Sequence, residues 1–155
     1  MNHRPLIRSA MPADLPALLA LEAGFDSDRI SPRAMRRLLQ RPTAQIRVID
    51  HSGGLAGASI LLTRRGSRVA RLYSLVVAPS ARGQGLGDAL VDDAIQLARL
   101  GDCDRLSLEV AASNTAACRL YARHGFIELK RLPGYYADGG DGLRWVLALD
   151  QGGAH

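Results

Sequence analysis

The chain has 155 residues, 47% of them hydrophobic and 23% charged, with a formal charge of +5. This is the balance of a soluble globular protein, and the length suits one domain with a real core. No apolar run approaches the ~20 residues of a membrane helix, and Met1–Pro5 opens no signal peptide, so a cytoplasmic protein is expected.

Leu6–Ala10 reads as a first strand. Pro12–Gly24 carries Leu15, Leu18, Leu19 and Ala23 at helical spacing, with Gly24 as a stop. Ser31 and Pro32 form an N-cap followed by proline, opening a short helix that ends near Gln40. "AQIRVID", "LAGASILLT" and "RVARLYSLVV", separated by the turns "HSGG" and "RRGS", make an antiparallel meander. A helix from about Gly85 to Leu100 follows. "RLSLEVA" then alternates Leu106, Leu108 and Val110 against Ser107 and Glu109. Ser113 or Asn114 caps a helix running to about His124, and Gly125 stops it. "FIELKRL" and "LRWVLALD" close the chain as strands around the loop "PGYYADGGDG". The expected fold is one α/β domain over residues 1–150, a mixed and mostly antiparallel sheet flanked by helices on both faces, with 151–155 as a loose tail.

Between the third strand of the meander and its following helix lie Gly83, Gly85 and Gly87, at every second position. A helix N-terminus carries unpaired N–H groups and about half a positive charge, and glycines let its backbone wrap an anion. Arg82 adds a cation suited to phosphate. Arg82–Gly87 therefore reads as a phosphate cradle. It is not a Walker loop, since Gly87 is followed by Asp88 and Ala89. It is not a dinucleotide fingerprint either, since Asp88 stands where the third glycine belongs. The positive net charge fits a phosphate-bearing cofactor, and its scattered arginines do not make a nucleic-acid module. Cys103 and Cys118 form no metal-ligand pattern and read as a reduced pair. His3, His51, His124 and His155 are dispersed, so no metal site is expected; His124 reads as the end of its helix. Asp138 and Asp141 lack the regular ligand spacing of a calcium loop.

"RGQGLG" resembles the Gln/Arg-x-x-Gly-x-Gly/Ala pyrophosphate loop of the GNAT N-acetyltransferase superfamily. "SNTAACRLYARHGF" resembles that superfamily's second motif, at Asn114, Ala117, Leu120, Tyr121, Gly125 and Phe126. "LEV" at Leu108–Val110 and "YYADG" at Tyr135–Gly139 are similar to the ribosomal-protein N-terminal alanine acetyltransferases within it. The segment "FDSDRISPRAMRRLL" looks more like the superfamily at large. The resemblance implies a GNAT fold and acetyl-CoA as co-substrate. Its pantetheine arm would pair with the backbone of Leu75, Val76 and Val77, and its pyrophosphate would sit in Arg82, Gly83, Gln84, Gly85, Leu86 and Gly87. Asn114, Ala117 and Tyr121 would flank it from the next helix.

Acetyl transfer to an amine needs a neutral amine, a donor for the developing oxyanion and a proton for the departing thiolate. An α-amine, with a pKa near ~8, is deprotonated more readily than a lysine at ~10.4. Glu109, mid-strand in an apolar run where burial would raise its pKa, is the candidate base; a solvated strand face is the alternative. By resemblance, Tyr121 is the acid and the Val77 N–H the oxyanion donor, with a core aromatic the alternative for Tyr121. Tyr135 and Tyr136 are expected over the substrate's N-terminal backbone, or else packed on the core. The favoured function is acetyl transfer to a protein or peptide α-amine, a ribosomal protein among the candidates. Acetylation of a small amine (polyamine, amino acid or aminoglycoside) is the second reading, and a silent acetyl-CoA-binding module the third. Neither a membrane nor a nucleic acid is an expected partner.

Overall fold

A computed structural model describes residues 5–24 and 29–149. The C-terminal tail, His3 and His155 lie outside the described residues. β1 (Ile7–Ser9) leads through a short 3-10 turn into α1 (Leu15–Glu22), and α2 (Pro32–Gln40) follows. The meander is β2 (Ala44–His51), β3 (Gly54–Leu62) and β4 (Val69–Val77). Then come α3 (Leu86–Leu100), β5 (Arg105–Ala111), α4 (Thr115–Arg123), β6 (Ile127–Leu132) and β7 (Gly142–Ala148). The order and boundaries agree with the sequence reading to within a few residues.

Local chemistry places the helix ends. The Ser31 hydroxyl accepts the Ala34 N–H at 3.1 Å and opens α2. The Asn114 side chain accepts the Ala117 N–H at 3.1 Å and opens α4, settling the choice left between Ser113 and Asn114. Among the described residues, no helix is long and apolar enough to cross a membrane.

The strands form one sheet in the order β1-β2-β3-β4-β5-β7-β6. β3 lies inside the sheet and is buried along nearly its whole length. α1 and α2 pack on one side of β2 and β3, around Leu18, Met35, Val48 and Ile60. α3 and α4 pack on the other side, around Val91, Leu106, Leu108, Leu120 and Trp145. The sheet is therefore flanked by helices on both faces, as the sequence reading expected.

Every strand pairing is antiparallel except β4 with β5. That parallel pairing covers only Val69–Arg71 against Arg105–Ser107. β4 gains one extra residue at Tyr73, where its register with β3 shifts. Beyond Arg71 the two strands part, while β5 stays paired with β7 along its other edge throughout. A wedge opens in the sheet.

Candidate active site

The wedge is a cleft of about 720 Å³ between β4, β5, the start of α4 and the β6–β7 loop. Glu109, Tyr121, Asn114, Ala117, Tyr135 and Tyr136 all line it, although they come from three separate segments. Leu75 lines it from β4. Strand alternation buries Leu106, Leu108 and Val110 under α3 and α4 and turns Glu109 to the opposite face.

The Glu109 carboxylate is 8% exposed, but its neighbours are not only apolar. Arg71 reaches Oε1 through Nε at 2.9 Å and Nη2 at 2.7 Å, and the Arg144 Nε donates to Oε2 at 2.9 Å. The apolar run expected around Glu109 is therefore joined by two arginines. Register is the cause: Arg144 stands directly opposite Glu109 on β7, and Arg71 ends the parallel pairing beside it. A carboxylate offers about four acceptor positions. Three are engaged by described residues, two on Oε1 and one on Oε2.

Tyr121 is buried at 7%, its ring edge-on to Phe126 at 5.6 Å. No described residue hydrogen-bonds its hydroxyl. Burial, with smaller electrostatic contributions from Cys118 and Tyr136, pushes the phenol above its ordinary value, so it keeps its proton. Asn114 spends its side-chain oxygen on the helix cap, which leaves its amide donors for the cleft. Tyr135 is 43% exposed and edge-on to Tyr136 at 4.9 Å; its hydroxyl lies 3.5 Å from Arg71. The loop's acids serve the loop itself. Asp138 accepts the Gly140 N–H at 2.8 Å, and Asp141 accepts the Gly134 N–H and Arg131 Nε, each at 2.9 Å. His124 ends α4 as expected and also reaches back to Asp88 on α3 at 2.8 Å.

The remaining predicted residues lie outside the cleft walls. Ala78 donates to Ala56 at 2.8 Å, and Val77 is paired with Gly57. Because antiparallel hydrogen bonds alternate, the N–H groups of Leu75 and Val77 point to the other edge of β4, the one β5 has left. Arg82–Gly87 sits at the start of α3. Gly83 (φ 81°) and Gly85 (φ 79°) are left-handed, a conformation that side chains disfavour. Gly87 has another duty: a Cβ there would sit 3.3 Å from Leu120, so its bareness lets α4 approach α3. The Leu86 side chain is 8% exposed and belongs to the core, which leaves only its backbone for an anion.

The Acetyltransferase (GNAT) family profile matches residues 15–126. The chain belongs to the GNAT acetyltransferase family. A Bacillus subtilis protein, provisionally named ribosomal protein bS18-alanine N-acetyltransferase, is 31% identical over 94% of this chain and 97% of its own. Among solved structures, the ribosomal-protein-S18-alanine N-acetyltransferase of Escherichia coli superposes with a TM-score of 0.83 at 29% identity, covering 94% of each chain. A chain of the NatC complex bound to Gag peptide and CoA does so at 0.81 and 26% identity, over 96% of this chain and all of that one.

The acetyl-CoA used by GNAT enzymes fits what the chain offers. The free β4 edge has N–H donors for an amide-bearing arm, and the left-handed glycines open the start of α3 to a pyrophosphate. What the sequence reading missed in this GNAT site are Arg71 and Arg144. An arginine in a strand has no local signal of its partner; only cross-strand register reveals it.

Proposed function

We propose that the protein transfers the acetyl group of acetyl-CoA to the α-amino group of a protein or peptide N-terminus. The observation that carries this reading is the meeting of Glu109 and Tyr121 in one cleft roofed by Tyr135 and Tyr136. The end-to-end likeness to proteins named for N-terminal alanine acetylation supports it, and makes a ribosomal protein one candidate substrate.

Acetyl-CoA supplies an activated acyl carbon. Glu109, fixed by its two arginines, takes the proton of the α-ammonium on Oε2, directly or through a water. The neutral amine attacks the thioester carbon. The Val77 N–H faces the carbonyl oxygen as charge develops on it. Tyr121 gives its proton to the departing sulfur, which forms the CoA thiol, and the second proton, shed by the attacking nitrogen as it becomes an amide, returns to the Tyr121 phenolate through water. Tyr135 and Tyr136 cover the first backbone units of the substrate.

The test is mass spectrometry of acetyl transfer to peptides with Ala, Ser, Met and Gly N-termini, each carrying an internal lysine, beside a free polyamine and an aminoglycoside. Acetylation of the α-amine alone, lost in Glu109→Gln, is expected. Acetylation of only the small amines overturns the reading.

A further inference from the structure

We propose that the substrate is acidic behind its acetylated residue, and that the open sheet face from Glu109 to Arg105 is a subsite for its carboxylates. The inference rests on the Nα-acetyl-transfer reading and names the substrate class of that same site.

A second hollow, of about 430 Å³, continues from the first and shares Arg71, Glu109 and Tyr135 with it. Arg105 and Arg144 complete its charged lining, and Ser107 lies between Arg105 and Glu109 on β5. Three guanidiniums thus face one carboxylate. Glu109 takes two N–H donors from Arg71 and one from Arg144, while each guanidinium carries five. The side chains of Arg71 and Arg144 stay 42% and 39% exposed. Arg105 is 59% exposed, and its contact with Asp104 is long, at 3.5 Å. Asp138, the second acid of the first cleft, accepts the Gly140 N–H. The hollow therefore holds a surplus of forked donors, the geometry that binds carboxylates in pairs of hydrogen bonds.

Strand geometry sets the positions. Arg105 is four residues before Glu109, roughly 13 Å at about 3.3 Å per residue. An extended peptide with its α-amine at Glu109 passes Arg71 and Arg144 first and reaches Arg105 at about its fourth or fifth residue. Aspartate or glutamate at the third to fifth positions meets this row. A lysine- or arginine-rich segment meets like charge and is a poor occupant.

The experiment compares peptides that share their first two residues and carry Asp/Glu, Ser/Gly or Lys/Arg at positions three to five. Transfer to the α-amine is followed for the full chain at low salt and at 0.5 M NaCl. The acidic set is expected to exceed the basic set in kcat/KM by about tenfold or more, mostly through KM, with the gap narrowing in salt as screening grows. Arg105→Glu should shrink or invert the order through KM, and Arg105→Lys should keep it, with unchanged Tm in both. As a readout free of turnover, N-acetylated acidic peptides should bind the CoA-loaded protein more tightly than basic ones in fluorescence anisotropy. Efficient α-amine transfer with equal or basic-first ordering overturns this inference alone. So does an ordering that Arg105→Glu leaves untouched. Absence of α-amine transfer to every peptide overturns the Nα-transfer reading and this inference with it.

Discussion

Arg144 stands directly across from Glu109 in the β5–β7 register, and its Nε donates to Glu109 Oε2 at 2.9 Å. The carboxylate is anchored on the side facing away from Arg71. Arg144→Leu should release that anchor. Because the arginine is 39% exposed, the stability loss should be modest, about 1 kcal/mol in urea unfolding. The kcat should fall, but by less than when the carboxylate itself is removed.

Glu109→Gln removes the base and keeps the volume. General-base catalysis contributes about 10²–10⁴-fold, and kcat/KM should fall within that range. Acetyl-CoA affinity, read by calorimetry, should stay within about twofold. Equal losses of affinity and turnover would make Glu109 a residue of shape only. An unaltered kcat would remove it from the reaction.

Tyr121→Phe deletes a hydroxyl that no described residue holds. The ring contact with Phe126 survives the change. The expected outcome is a drop in kcat of about 10²-fold with no measurable change in Tm. A large stability loss with normal kcat would return Tyr121 to the core and leave the sulfur's proton to another donor.

Gly85→Ala forces a side chain into a left-handed position, φ 79°, at the cap of α3. The strain should cost about 1 kcal/mol of stability. If the loop cradles pyrophosphate, KM for acetyl-CoA should rise while kcat at saturation changes little. A variant with its stability loss but normal KM would detach the loop from the cofactor.

Glu22 is buried at 4% exposure, with Oε1 accepting the Ile30 N–H at 3.2 Å and Oε2 without a partner. Burial raises its carboxyl above the ordinary 4.5, only partly opposed by the Ile30 bond. The folded value lies above the unfolded one. The stabilisation of the protonated form is therefore complete below the unfolded value and is lost as pH rises through the folded one. Glu22→Gln stays neutral throughout. The stability of the variant relative to the parent should grow from pH 4 to pH 8 in urea titrations; a flat difference would contradict the raised value.

The sequence by itself determined the elements and half the chemistry. Hydrophobic alternation in "RLSLEVA" put Glu109 opposite the core, Asn114 and Ser31 announced their helices, and the glycines of 83–87 marked the left-handed turn that opens α3. These signals are local: a period of two, a cap, a backbone dihedral. The resemblance of "NTAACRLY" to the family's second motif singled out Tyr121, which the structure places on α4 and in the cleft wall. The cleft itself was decided only by tertiary structure. Nothing in residues 69–77 says that β4 leaves β5 after three pairs, yet that parting makes the cavity and frees the N–H groups of Leu75 and Val77. Nor could spacing assign Arg71 and Arg144 to Glu109, since the partners lie 38 and 35 residues away in sequence. Pairing between strands is a long-range choice made by whole faces of side chains, and a charge takes its partner from whichever strand that choice lays beside it.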